Sequence, residues 1–146
     1  MTWTAIIPPG AARPLAPYVP GTKAGNTVYV SGTLALGPDG TTLGPGDIRM
    51  QTRCVIEAIR KVLQAAGADL ESVAYNQIFL KDRGDYAAMN EVYGEYFGHE
   101  SPARYCIITE LVKPEFLVEI ASVAYLDSPQ SSPSDDARQG GRDAIR

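Results

Sequence analysis

The chain has 146 residues, 45% of them apolar, and a formal net charge of −4. That is one domain's worth of sequence with enough apolar content for a core, and its acidity argues against a nucleic-acid-binding surface. No apolar run is long enough to cross a bilayer, and the start, Met1-Thr2-Trp3-Thr4-Ala5-Ile6-Ile7, lacks the basic and long apolar stretches of a secretory signal.

Residues 5–7 read as a short strand ended by Pro8-Pro9-Gly10, and residues 10–17 as a loop rich in Pro and Ala. Two strands follow over 18–23 and 27–36, with Gly25-Asn26 as the turn between them. The turn clusters Gly37-Pro38-Asp39-Gly40 and Gly44-Pro45-Gly46 leave room only for a small β extension over Thr41-Thr42-Leu43. Asp47 is placed to cap a helix whose Val55, Ile56, Ile59, Val62, Leu63 and Ala66 fall at helical spacing, and Gly67 suits its C-terminal stop. On it, Glu57 and Lys61 stand four apart in the favoured order, and Cys54 borders the apolar stripe as a small core residue.

Residues 73–80 read as a strand buried on both faces. A second helix is predicted over 83–97, with Tyr86, Met89, Asn90, Val92, Tyr93, Tyr96 and Phe97 crowding toward one side. Its aromatic stripe suits a core, whereas Asn90 within it needs a polar partner. Segments 104–110 and 116–125 then read as a closing hairpin about Lys113-Pro114-Glu115. From Asp127 onward large apolar residues nearly vanish, which predicts a disordered tail over 127–146 behind a domain over 1–126. The element order implies an α+β fold with both helices on one face of a mixed sheet. The other face should then be apolar and uncovered, and self-association would bury it.

Cys54 and Cys106 sit in different predicted elements and form no C-x-x-C pair, so a reducing, cytoplasmic setting is expected. The lone His99, in a polar loop, makes a histidine-based metal site improbable. The chemistry concentrates in Pro102-Ala103-Arg104-Tyr105-Cys106 and Val118-Glu119-Ile120. Alternation along a strand points Arg104 and Cys106 the same way. The arginine fork fits a carboxylate in a bidentate manner, and Glu119 can hold or deprotonate a water. A thiol beside Arg104 is expected to have a lowered pKa. The set suits a small carboxylic acid with a reactive carbon; the plainer reading is an exposed arginine–glutamate ion pair.

Several pieces lie in a recognisable order: residues 15–22 (Leu-Ala-Pro-Tyr-Val-Pro-Gly-Thr), 28–35 (Val-Tyr-Val-Ser-Gly-Thr-Leu-Ala), Gln51-Thr52-Arg53, Ile59-Arg60-Lys61-Val62 and 86–93 (Tyr-Ala-Ala-Met-Asn-Glu-Val-Tyr). Pro102-Ala103-Arg104, Leu111-Val112-Lys113-Pro114 and Leu117-Val118-Glu119-Ile120-Ala121 complete them. In these the chain resembles the YjgF/Rid family of reactive-intermediate deaminases, and Leu111-Val112-Lys113-Pro114 draws it toward that family's RutC branch. The resemblance implies a chorismate-mutase-like fold and a homotrimer with active sites between subunits. It implies no cofactor and no metal. It also implies that Arg104 grips a substrate carboxylate, Glu119 activates water and Cys106 joins them at the catalytic centre, lining the cleft near the reactive carbon, while Tyr18, Ser31, Gly32 and Asn90 shape the pocket. For Cys106 itself a pocket-lining or proton-relay role leads, with inert packing and nucleophilic attack as the alternatives.

The implied reaction is hydrolysis of 3-aminoacrylate to malonic semialdehyde and ammonia in pyrimidine degradation. The alternatives are a broader 2-iminoacid deaminase and a non-catalytic trimer that binds small carboxylates; neither nucleic acid nor membrane is an expected partner. Where many family members carry a further acid two places beyond the position of Glu119, this chain has Ala121. Tyr105 and Thr109-Glu110 depart from typical deaminases as well. These departures bear on substrate preference.

Overall fold

Local chemistry closes the first helix at both ends. Asp47 accepts a hydrogen bond from the Met50 amide at 3.0 Å, and Gly67 takes the left-handed conformation, φ 80°, that ends the helix past Ala66. A computed structural model describes residues 2–127. The tail expected over 127–146 lies outside these residues, apart from Asp127.

The strands are β1 (Thr4–Ile6), β2 (Gly21–Ala24), β3 (Thr27–Thr33), β4 (Val73–Leu80), β5 (Ala103–Ile108) and β6 (Val118–Tyr125). The helices are α1 (Ile48–Ala65) and α2 (Tyr86–Phe97). All six strands form one sheet in the order β1-β2-β3-β6-β4-β5, mixed because β4 and β5 run parallel. Val55, Ile56, Ile59, Val62 and Leu63 of α1 pack with Met89, Tyr93 and Phe97 of α2 and with the inward residues of β3, β4 and β6 in one core. The expected α+β layering with both helices against one face is the observed one.

The closing hairpin is corrected. β5 and β6 are not neighbours: β4 lies between them, parallel to β5 and antiparallel to β6. The segment over 83–97 makes this possible by serving as the crossover that parallel strands require. It begins as a 3-10 turn at Arg83–Asp85 because Asp82 accepts from the Gly84 amide at 2.7 Å, and turns α-helical only from Tyr86. The loop after β5 then crosses the end of β4. The buried Gln51 side chain holds it, donating to Glu115 O at 2.9 Å and accepting from the Leu117 amide at 2.8 Å. From the other side the Lys81 amide donates to Leu117 O at 3.1 Å.

β2 and β3 are shorter than expected. β3 ends at Thr33 after a register shift between Val30 and Thr33 opposite β6. The Ser31 hydroxyl bonds Val19 O at 2.6 Å and the Thr33 hydroxyl bonds Ser31 O at 2.7 Å, so this bulge is tied down. The expected β extension is a single bridge, Leu36 to Thr42. Glu57 is bonded by Arg60 at 2.9 Å.

The sheet's second face is apolar, and among the described residues no helix lies on it. Tyr29, Tyr105, Ile107 and Tyr125 stand on it 50%, 39%, 46% and 60% exposed. Tyr105 meets Tyr75 and Phe79 edge-on, at 6.0 and 6.1 Å between ring centroids. Among the described residues no helix is long and apolar enough to cross a membrane.

Candidate active site

Sheet register decides where the functional side chains point. On β4, Asn76 pairs with Arg104 on one side and Ser122 on the other, so these three share a face. Phe79 pairs with Ile107 and Glu119. Asn76 and Phe79 are three residues apart, an odd offset, so their rows face opposite ways. Arg104 therefore lies on the helix side of the sheet and Glu119 on the open side. The expectation that both enter one crevice fails within a single chain, because an intervening strand and an odd offset separate them.

The first cluster is Arg104, Cys106 and Asn90. Arg104 Nη2 donates to Asn90 Oδ1 at 2.7 Å and, more weakly, to the Tyr86 hydroxyl at 3.4 Å. The guanidinium lies 4.6 Å from the centroid of the Tyr93 ring, within cation–π range. Asn90 thus has the partner its position demanded. Arg104 Nη1 is buried without an acceptor, and among the described residues the arginine pairs with no carboxylate. Cys106 shares this face, as expected. Its pKa is raised: burial pushes the thiol up, and the opposing pull of Arg104 is the smaller effect. That corrects the expected lowered pKa and leaves a neutral thiol at neutral pH.

The second cluster is Glu119, Tyr18, Ser31 and Gly32. With Leu34, Val112 and Lys113 they line a cleft of about 550 Å³. A methyl on Gly32 would collide with Glu119 Oε1, so the bare glycine lets the carboxylate lie against the bulge. Burial raises the Glu119 pKa, and among the described residues no cation or donor offsets it. Tyr18, Ser31 and Gly32 also border a second, largely apolar cleft of about 460 Å³ that reaches Cys54 and Lys61 on α1. Among the described residues no three His, Cys, Asp or Glu side chains gather into a metal-binding group.

The family model described as Endoribonuclease L-PSP matches residues 10–126. The chain belongs to the YjgF/Rid family. Solved structures agree. The yeast protein YEO7 is 30% identical, covering 86% of this chain and 100% of its own, with a TM-score of 0.81. RidA from the Antarctic bacterium Psychrobacter is 30% identical over 84% of this chain and 100% of that one, TM-score 0.77. TdcF from E. coli, solved with bound serine, is 27% identical over 85% and 99%, TM-score 0.77. The fold is thus that of a family with deaminase-type and small-molecule-binding roles.

Within this YjgF/Rid framework the sequence reading missed four residues: Tyr86 and Tyr93, which touch Arg104, and the buried pair Asn76 and Ser122. Tyr86, Asn90 and Tyr93 stand four and three apart, one face of a helix. That spacing marks them as a group, but the aromatic members read as core.

Proposed function

We propose that the chain is a cofactor-independent hydrolytic deaminase of 3-aminoacrylate or a close enamine or imine acid. It works as a homotrimer in which the Arg104 cluster of one copy meets the Glu119 cluster of the next. The observation that carries this reading is a pair of ionisable groups that burial leaves without a counter-charge. Arg104 has a buried N–H without an acceptor, and Glu119 is desolvated without a cation. Leaving a charged donor unpaired is costly, and a bound carboxylate relieves it. The exposed apolar face beside Glu119 supplies the reason for copies to associate.

The chemistry follows from these groups. Protonation of 3-aminoacrylate at C2 gives an iminium whose C3 accepts water, and the carbinolamine expels ammonia to leave malonic semialdehyde. Arg104 holds the carboxylate. Glu119, whose raised pKa favours retaining a proton, delivers it to C2 and, once ionised, takes a proton from the attacking water. Cys106, as a neutral thiol, lines the cleft next to Arg104. Tyr18, Ser31 and Gly32 shape the wall beside Glu119. TdcF binds serine, a three-carbon acid bearing a nitrogen, which matches 3-aminoacrylate in carbon count and in its carboxylate. RNA cleavage, which the family's description suggests, finds little footing in an acidic chain with its single histidine exposed.

The test is ammonia release from freshly generated 3-aminoacrylate and from 2-iminopropanoate, with wild type and Arg104→Lys. The expected result is faster turnover of 3-aminoacrylate, and a loss of about 100-fold in the variant, since a point ammonium cannot reproduce the fork. Faster turnover of 2-iminopropanoate points to the broader deaminase, and release no faster than in buffer points to a binding protein.

A further inference from the structure

A buried polar chain behind Arg104 plays no part in the scheme above. Ser122 Oγ on β6 donates to Asn76 Oδ1 on β4 at 2.6 Å, and Asn76 Nδ2 donates to the Tyr93 hydroxyl on α2 at 3.0 Å. Asn76 is fully buried, and Ser122 and Tyr93 nearly so. The Tyr93 ring carries the Arg104 guanidinium on its face at 4.6 Å. Ser122, Asn76 and Arg104 occupy one row across three strands, so Asn76 stands directly beside the arginine on the same face of the sheet.

Apolar side chains of similar size would fill these core positions without the cost of desolvating an amide and two hydroxyls. What a fully bonded polar chain adds is a single geometry. A phenylalanine ring at position 93 could tilt and slide; a tyrosine bonded at its hydroxyl by a fixed amide is held. Burial raises the Tyr93 pKa against the lowering pull of Asn76 and Arg104, so the phenol stays neutral and does not cancel the arginine's charge.

We propose that Ser122 and Asn76 are positioning residues for the carboxylate clamp, acting through Tyr93 to fix the plane of the Arg104 fork. The inference rests on the reading of Arg104 as the clamp. The relay governs affinity for the carboxylate while the hydrolytic groups are untouched. Its signature is therefore a change in KM with little change in kcat.

Ser122→Ala and Tyr93→Phe each delete one oxygen and keep the packing. Propanoate affinity is measured by NMR titration of the assembled protein, for each variant alone and combined with Arg104→Lys. KM and kcat on 3-aminoacrylate are measured for Ser122→Ala and Tyr93→Phe in the wild-type background. Each oxygen deletion should weaken propanoate binding about three- to tenfold and raise KM in step, with kcat within about twofold. In the Arg104→Lys background neither should weaken it further, because residues acting through one another are non-additive. Wild-type affinity in folded variants, or equal weakening in both backgrounds, would overturn the relay while leaving the clamp intact. Equal propanoate binding by wild type and Arg104→Lys would remove the clamp itself, and the relay with it. Should Ser122→Ala not fold, Tyr93→Phe decides alone.

Discussion

At the scale of single residues, burial governs the two titrating groups nearest the chemistry. Glu119 holds its proton to higher pH in the folded protein than in the unfolded chain. Between those two pKa values the native state carries more protons, so Glu119 lowers stability as pH rises through that window. Glu119→Gln removes that penalty. It should raise Tm at pH 7 while hydrolysis falls sharply, and the gap should close as pH falls below the ordinary glutamate range, where the carboxyl is protonated in both states. A lower Tm at pH 7 in the variant would mean that the Arg104 of a neighbouring copy, which the proposed association brings to Glu119, outweighs burial in the assembly. Cys106 behaves alike: its thiol ionises above the ordinary cysteine range, since burial outweighs Arg104. At neutral pH its alkylation by iodoacetamide, followed by mass spectrometry, should be slower than that of free cysteine. Rapid labelling would restore a nucleophilic role.

At the scale of elements, the bulge of β3 sets the position of Glu119. Gly32 has an ordinary φ, so its value is steric: it leaves the room that Glu119 Oε1 occupies. Gly32→Ala should displace the carboxylate and cost about 100-fold in turnover with little change in Tm, because a flexible side chain gives way. Full activity in that variant would show that the carboxylate's placement does not matter.

Elements were legible wherever one stretch of chain contains its own reasons. Asp47, the apolar spacing from Val55 to Leu63 and Gly67 delimit α1 without help from elsewhere, and β4 begins and ends where its pattern does. The β5–β6 hairpin was misread because a Lys-Pro turn between two apolar segments looks local. The chain leading into β6, which lies between β3 and β4, is held by Gln51 and Lys81, far away in sequence. The same limit applies to the site. Alternation within a strand gave Arg104 and Cys106 a common face, but the relation of Arg104 to Glu119 depends on register through β4, which no local pattern carries. Asn76 and Ser122 were illegible for that reason: a polar residue in an apolar strand reveals a need for partners, not who they are.

At the scale of the molecule, the Arg104 and Glu119 clusters lie on opposite faces of the sheet, and among the described residues nothing covers the sheet's apolar face. The proposed association of copies would account for both facts at once, covering Tyr29, Tyr105 and Ile107 and bringing a guanidinium to a carboxylate. The direct measurement mixes two inactive proteins, Arg104→Lys and Glu119→Gln, by co-refolding and follows ammonia release from 3-aminoacrylate. If each site draws on two copies, random trimers carry intact sites at about one quarter of the wild-type frequency, and activity should return to that level. A mixture no more active than its separate components would contradict a site shared between copies.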